Sequence, residues 1–120
     1  MLARIMESPA RNLIGKDTVI KGDIESSGDI RVDGHLIGSL KSNGKIVVGQ
    51  TGVIEGDIVC KQADISGVVK GILNSEELTT LKSTSRVEID MVTRQLCIEV
   101  GAFFTGKCQM TQPSVQQKKQ

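Results

Sequence analysis

The stretch Gly52-Val53-Ile54-Glu55-Gly56-Asp57-Ile58 decides the fold of this chain. Ile54, Gly56 and Ile58 alternate with Glu55 and Asp57, the period of two that marks a strand with one apolar and one polar face. The same cell, apolar-x-Gly-x-apolar, recurs as Ile20-Gly22-Ile24, Leu36-Gly38-Leu40, Val69-Gly71-Leu73 and Phe104-Gly106-Cys108. A degenerate copy, Val87-Ile89-Met91, has Ile where the others have Gly. From Ile20 to Phe104 the copies step by 16, 18, 15, 18 and 17 residues. Between them lie shorter alternating runs: Ile30-x-Val32, Ile46-x-Val48, Ala63-x-Ile65, Thr79-x-Leu81 and Leu96-x-Ile98. Each is followed by Gly or by a polar turn such as Lys82-Ser83-Thr84.

A meander of hairpins would leave this near-17-residue recurrence unexplained. A β-solenoid explains it directly, because each coil stacks on the last and like cells lie above like cells. Glycine then sits where the chain bends at a corner or approaches its neighbour closely. The copies from Ile20 to Phe104 predict an all-β solenoid of about six coils. At the ~4.8 Å spacing between strands that is a rod about 25–30 Å long.

Composition agrees. A length of 120 residues suits one domain, and the 38% apolar content lies mostly in Val, Ile and Leu, with no Trp or Tyr and only two Phe. Such a chain has to fill its core with rows of small aliphatic side chains instead of aromatic bulk. The net charge is +1 and no basic stripe or stacking aromatics are present, so no nucleic-acid partner is expected. Outward positions such as Lys21, Asp23, Arg31, Asp33, Glu55, Asp57, Lys70 and Glu88 read as a solvated face with cross-coil pairs. Cys60, Cys97 and Cys108 form no CxxC pair, and His35 has no nearby Cys, so neither a zinc site nor a disulfide framework is expected. Their odd number, without a secretory signal, reads as reduced thiols in the cytosol.

Three segments are expected. Residues 1–14 form a tail in which Met1, Leu2, Ile5 and Met6 are apolar and Arg4 and Arg11 basic, a mixture suited to a weak interfacial contact with membrane. Residues 15–108 form the coils, and residues 109–120 a disordered tail bearing Gln, Lys and Pro113. Residues 74–80 fall off the pattern and read as a loop or bulge, and His35, after Asp33-Gly34, reads as an exposed turn residue. A solenoid has an open strand edge at each end, and a monomeric one needs polar caps. Here the last coil carries the two phenylalanines, Phe103 and Phe104, and the first begins with Val19 and Ile20. These four residues are the candidates for a self-association interface, with Phe104 inward and Phe103 outward or at a corner.

Laid out in this way, the chain resembles the bactofilin family. The likeness rests on Asn12-Leu13-Ile14-Gly15 with Thr18 and Ile20-x-Gly22-x-Ile24, on Gly28-Asp29-Ile30-Arg31-Val32-Asp33-Gly34, and on Leu96-x-Ile98-Glu99-x-Gly101-Ala102-x-Phe104-x-Gly106. It spans residues 12 to 108, with Ile89 and residues 74–80 as departures. The resemblance implies a right-handed parallel β-helix that polymerises end to end without nucleotide or other cofactor into non-polar filaments or sheets. It implies a cytoskeletal scaffold in the bacterial cytoplasm, at the inner membrane through the apolar head, recruiting cell-wall enzymes or other cell-shape proteins. It also places the residue matching Phe104 in a terminal subdomain that supports polymerisation.

Two other readings compete. Left-handed β-helix acyltransferases also repeat Gly and apolar residues, but with a hexapeptide period and a catalytic His, and His35 would have to act alone. No phosphate loop, nucleophilic triad or metal cluster supports an enzyme. A monomeric β-solenoid that binds other proteins would need an exposed apolar row, for which the sequence offers only Val59 and Val92.

Overall fold

A computed structural model describes residues 11–110. Ten strands follow one another: β1 (Arg11–Ile14), β2 (Val19–Ser26), β3 (Asp29–Val32), β4 (His35–Ser42), β5 (Lys45–Val48), β6 (Val53–Ile65), β7 (Val68–Leu81), β8 (Arg86–Ile98), β9 (Phe103–Thr105) and β10 (Cys108–Met110). Among the described residues there is no helix. The two expected tails, residues 1–14 and 109–120, lie largely outside the described residues, and the strands themselves run from Arg11 to Met110.

Every pairing is parallel, and the strands form two stacks. One holds short rungs: β1, β3, β5, then the second halves of β6, β7 and β8. The other holds long rungs: β2, β4, the first halves of β6, β7 and β8, then β9 with β10. One short rung and one long rung make a coil, so the chain is a parallel β-solenoid of about six turns.

The registers align the repeated cells as the sequence pattern requires. Ile20, Leu36, Ile54, Val69, Val87 and Phe104 stand in one inward column, and Ile24, Leu40, Ile58, Leu73, Met91 and Cys108 in another. On the short stack, Ile14, Val32, Val48, Ile65, Leu81 and Ile98 form a third. Leu36, Leu40, Ile54, Val69 and Leu73 are fully buried, so the core is a file of aliphatic side chains lying on their counterparts one coil away.

The mid-strand glycines make the bend. Gly56 has φ +142°, and a Cβ added there would come 1.7 Å from the carbonyl oxygen of Gly38 on the coil before. Both the backbone angle and the close approach exclude a side chain. Ile89 departs from this rule. It stands in register with Gly71, keeps a negative φ and buries its side chain in the core, so the solenoid accepts an ordinary residue at this corner when the backbone is not turned to positive φ.

One local expectation narrows, one changes and one holds. Residues 74–80 are part of the continuous strand β7, and their irregularity is a register shift between Ser75 and Leu78, a bulge in the ladder. The Ser75 hydroxyl at that shift donates to the Lys61 carbonyl at 3.0 Å, which satisfies a buried polar group. His35 opens β4 and is half-buried, with its Nε2 2.7 Å from Glu55 Oε2 on the next coil, so it is a strand residue in a cross-coil pair. Ion pairs do cross between coils at Lys41–Glu25, Lys45–Asp64 and Lys82–Glu99, whereas Arg31 bonds Asp33 of its own coil.

Candidate functional site at the two ends of the solenoid

Strand pairing stops where the described coils stop, and the inward columns continue to both end faces. At the N-terminal end, among the described residues β2 pairs only with β4, which leaves one side of an unbroken eight-residue strand without a described partner. Ile20 and Ile24 are only partly buried there, whereas Leu36 and Leu40, the next residues in the same columns, are at 0% exposure. Among the described residues no further coil lies on that side, which accounts for the difference. Val19 stands outward above His35 and is 59% exposed, so it lies on the rim, while Ile20 points into the end face.

The C-terminal end is built differently. Its long rung is two three-residue strands, β9 and β10, laid on β8 and separated at Gly106 and Lys107. The Lys107 carbonyl still accepts the Met91 amide at 2.7 Å, so register is kept across the gap. Phe104 sits above Val87, packs against the core and is half-buried. Phe103 points the other way, above Arg86, whose guanidinium lies 5.6 Å from the ring centroid. The two phenylalanines therefore serve different surfaces: Phe104 the end face, Phe103 the outer wall beside it.

Several end-face residues escaped the sequence reading. Ile98 and Met110 are half exposed, at 50% and 49%, and Leu96 is partly buried on the last short rung. The signal was available, because any inward position of the first or last cell has to face an end. Val100, 97% exposed at the tip of the last turn, had no such signal.

Cys60 is buried, and Cys97 and Cys108 are exposed; all three are free thiols. Burial pushes the Cys60 thiol up to about 12. Cys108 Sγ rests 4.0 Å from Met91 Sδ at the C-terminal face. Among the described residues, no group of three or more His, Cys, Asp or Glu gathers in one place, and no helix is long and apolar enough to cross a membrane. Met1, Leu2, Ile5 and Met6, expected to contact membrane, lie outside the described residues.

Comparison with known proteins agrees with this architecture. Residues 12–109 match the family model described as "Bactofilin: Polymer-forming cytoskeletal". The chain is 31% identical over 101 residues to bactofilin BacO of Myxococcus xanthus, covering 84% of this chain and 80% of that protein. It is 30% identical over 98 residues to bactofilin BacP of the same organism, covering 82% of this chain but only 41% of the longer relative. A crystal structure of a phenylalanine-to-arginine mutant of bactofilin from Thermus thermophilus superposes with a TM-score of 0.71 at 31% identity, over 75% of this chain and all of the other. The repeat, the parallel solenoid and these matches converge, and the chain belongs to the bactofilin family of polymer-forming cytoskeletal proteins.

Proposed function

We propose that this protein is a scaffold that polymerises without nucleotide by stacking its solenoids end to end. The observation that carries the reading is the pair of end faces of the described coils, where core columns buried one coil further in finish partly exposed among the described residues. Magnitudes indicate how such a contact holds. Covering the remaining surface of a half-exposed Ile, Met or Phe contributes roughly 1 kcal/mol per side chain. Association itself costs at least about 4 kcal/mol, so a few such side chains at an end face do little more than offset it. The rest comes from pairing the open strand edges, whose backbone hydrogen bonds contribute about 0.5–1.5 kcal/mol each. Productive contact therefore requires strands in register as well as apolar surface.

Within this reading Phe104 and Ile20 are stacking residues, and Phe103 and Val19 form the rim around them. Residues 1–6 hold the polymer weakly against the cytoplasmic face of the inner membrane, and many weak anchors on one filament act together. The polymer then serves as a platform for cell-wall enzymes or other cell-shape proteins. Pelleting tests the assembly: protein freed of nucleotide and metal by a chelator should sediment above a threshold concentration, and the threshold should not move on adding nucleotide. A chain that sediments only with nucleotide contradicts the proposal. Removing residues 1–6 should release the polymer from phospholipid vesicles, and unchanged co-sedimentation would exclude the head as anchor.

A second reading, a binding module, is favoured by one observation. Ile72 and Val59, 50% and 42% exposed, lie diagonally on adjacent coils of one outer wall. Replacing both with Ser separates the two readings, because assembly through the ends would be unaffected.

A further inference from the structure

We propose that the long outer wall of the solenoid is a self-recognition surface, which takes a second copy of the chain lying antiparallel across it. The outward residues of the long rungs make this wall. Their registers set four columns, which start at Val19, Lys21, Asp23 and Glu25 on β2 and run through β4, β6, β7 and β8 to β9 and β10. Of the nine large hydrophobic side chains exposed among the described residues, five stand here: Val19, Ile37, Val59, Ile72 and Phe103. Half-buried Val53 and Val68 continue the first column between them. The charges are divided as well. On this wall the first three rungs carry two more acidic side chains than basic ones, and the last three carry one more basic than acidic. Antiparallel pairing therefore sets unlike ends against each other.

The charge pattern selects the register. A two-fold axis along the strands, between the first halves of β6 and β7, makes each column meet itself in reverse. Val53 then faces Val68 of the second copy, Glu55 faces Lys70, Asp23 faces Lys107, and Val19 meets Phe103 at the margin. No carboxylate meets a carboxylate, and no Lys or Arg meets another. Sliding by one coil destroys this. In one direction Glu55 and Asp57 each meet their own counterparts; in the other Lys70 meets itself and Glu55 faces Glu88. A parallel two-fold pair sets Glu55 on Asp57 and Glu88 on Asp90. Like charges set directly opposite destabilise a contact.

Against the antiparallel register stand Glu88 over Ile37 and Arg86 over His35. Both members of the second pair are engaged within their own chain, the Arg86 guanidinium on the Phe103 ring and His35 Nε2 on Glu55 Oε2. The Glu55 side chain stays 45% exposed beside His35, so it is open to a second partner. Size sets the strength of the contact. Six rungs by seven residues give a footprint of about 600 Å² per copy, about 1,200 Å² in all, the lower limit for a specific contact. Two single copies therefore pair weakly, and stacked solenoids, which repeat the contact, are held side by side more firmly. The pairing does not rest on end stacking, because the wall runs along the solenoid and not across its ends.

Analytical ultracentrifugation of the full chain carrying Phe104→Arg, which closes the C-terminal face to stacking, tests the wall. Its average mass should rise with concentration from one chain toward two. Glu55→Lys and Lys70→Glu, each added singly, should weaken pairing at least about tenfold, because each sets two like-charge contacts across the two-fold axis. Mixed in equal amounts, the two variants should pair again, since each then meets its opposite. No effect within one chain gives that rescue. Lys45→Glu, on the short wall beside Asp64, should leave the mass unchanged. A monomer at every concentration would overturn the proposal, as would single variants that pair normally or a mixture that stays monomeric. Equal weakening by Lys45→Glu would overturn it too, by making net charge the cause. End stacking is judged separately, by filaments from the chain that keeps Phe104.

Discussion

The two ends of the solenoid carry the same columns with different hardware. The N-terminal end presents one continuous eight-residue strand with small aliphatic side chains, Ile20 and Ile24, on either side of a glycine corner. The C-terminal end presents a strand cut in two and relies on a larger side chain, Phe104, with Leu96, Ile98 and Met110 around it. A long edge can form many backbone bonds and tolerates the loss of one side chain. A short, broken edge forms fewer and depends more on its aromatic plug. Equivalent substitutions at the two ends should therefore have unequal effects.

The largest effect is expected at Phe104. Phe104→Arg places a charge in the half-buried centre of the C-terminal face and should abolish filaments in negative-stain micrographs while far-UV circular dichroism stays β-rich. Filaments of normal length would remove Phe104 from the interface. Next comes the coil interior. Gly56→Ala should destabilise the fold by about 3 kcal/mol in denaturant titration, because it combines a positive φ with a 1.7 Å approach to a carbonyl oxygen. Gly22→Ala, at the open end, retains only the backbone strain and should cost about 1 kcal/mol. Equal losses at the two glycines would show that stacking contact does not set the requirement.

Ile20→Arg should be milder than Phe104→Arg, raising the assembly threshold about tenfold, or about 1.4 kcal/mol, because the rest of the long edge still pairs. Complete loss of assembly would overturn the asymmetry between the ends. The smallest effect is a count of thiols. Unassembled protein should react quickly at Cys97 and Cys108 and slowly at Cys60, and stacking should then protect Cys108 but leave Cys97 open. Cys60 also sets a sign for pH. Its thiol ordinarily titrates at 9.0 and in the fold is pushed up to about 12, mainly by burial. Its stabilising contribution is therefore present below pH 9 and is lost as pH rises from there toward 12.

Much of this was legible in the sequence because a solenoid repeats its physics. Once Ile54-Glu55-Gly56-Asp57-Ile58 reads as a strand with a bend, its counterparts follow by counting, and so do the inward columns. Local exceptions were less legible. The bulge after Ser75 depends on how one coil spends an extra residue relative to the next, and nothing in the seven residues distinguishes a bulge from a loop. His35 looked like a turn residue because Asp33-Gly34 precedes it, but the turn is only two residues long and the strand resumes at once. The different orientations of Phe103 and Phe104 were half legible: alternation separates them, but the Arg86 partner comes from another coil, 17 residues earlier.

In the proposed assembly, the two end faces of the solenoid stack in register without nucleotide. Electron microscopy of the purified full chain, in a buffer free of nucleotide and metal, tests it most directly. Filaments are expected with an axial repeat of one or two solenoid lengths, each about 25–30 Å from six rungs at the usual strand spacing. Monodisperse single particles across salt and protein concentration would contradict end-to-end assembly and leave the binding-module reading in its place.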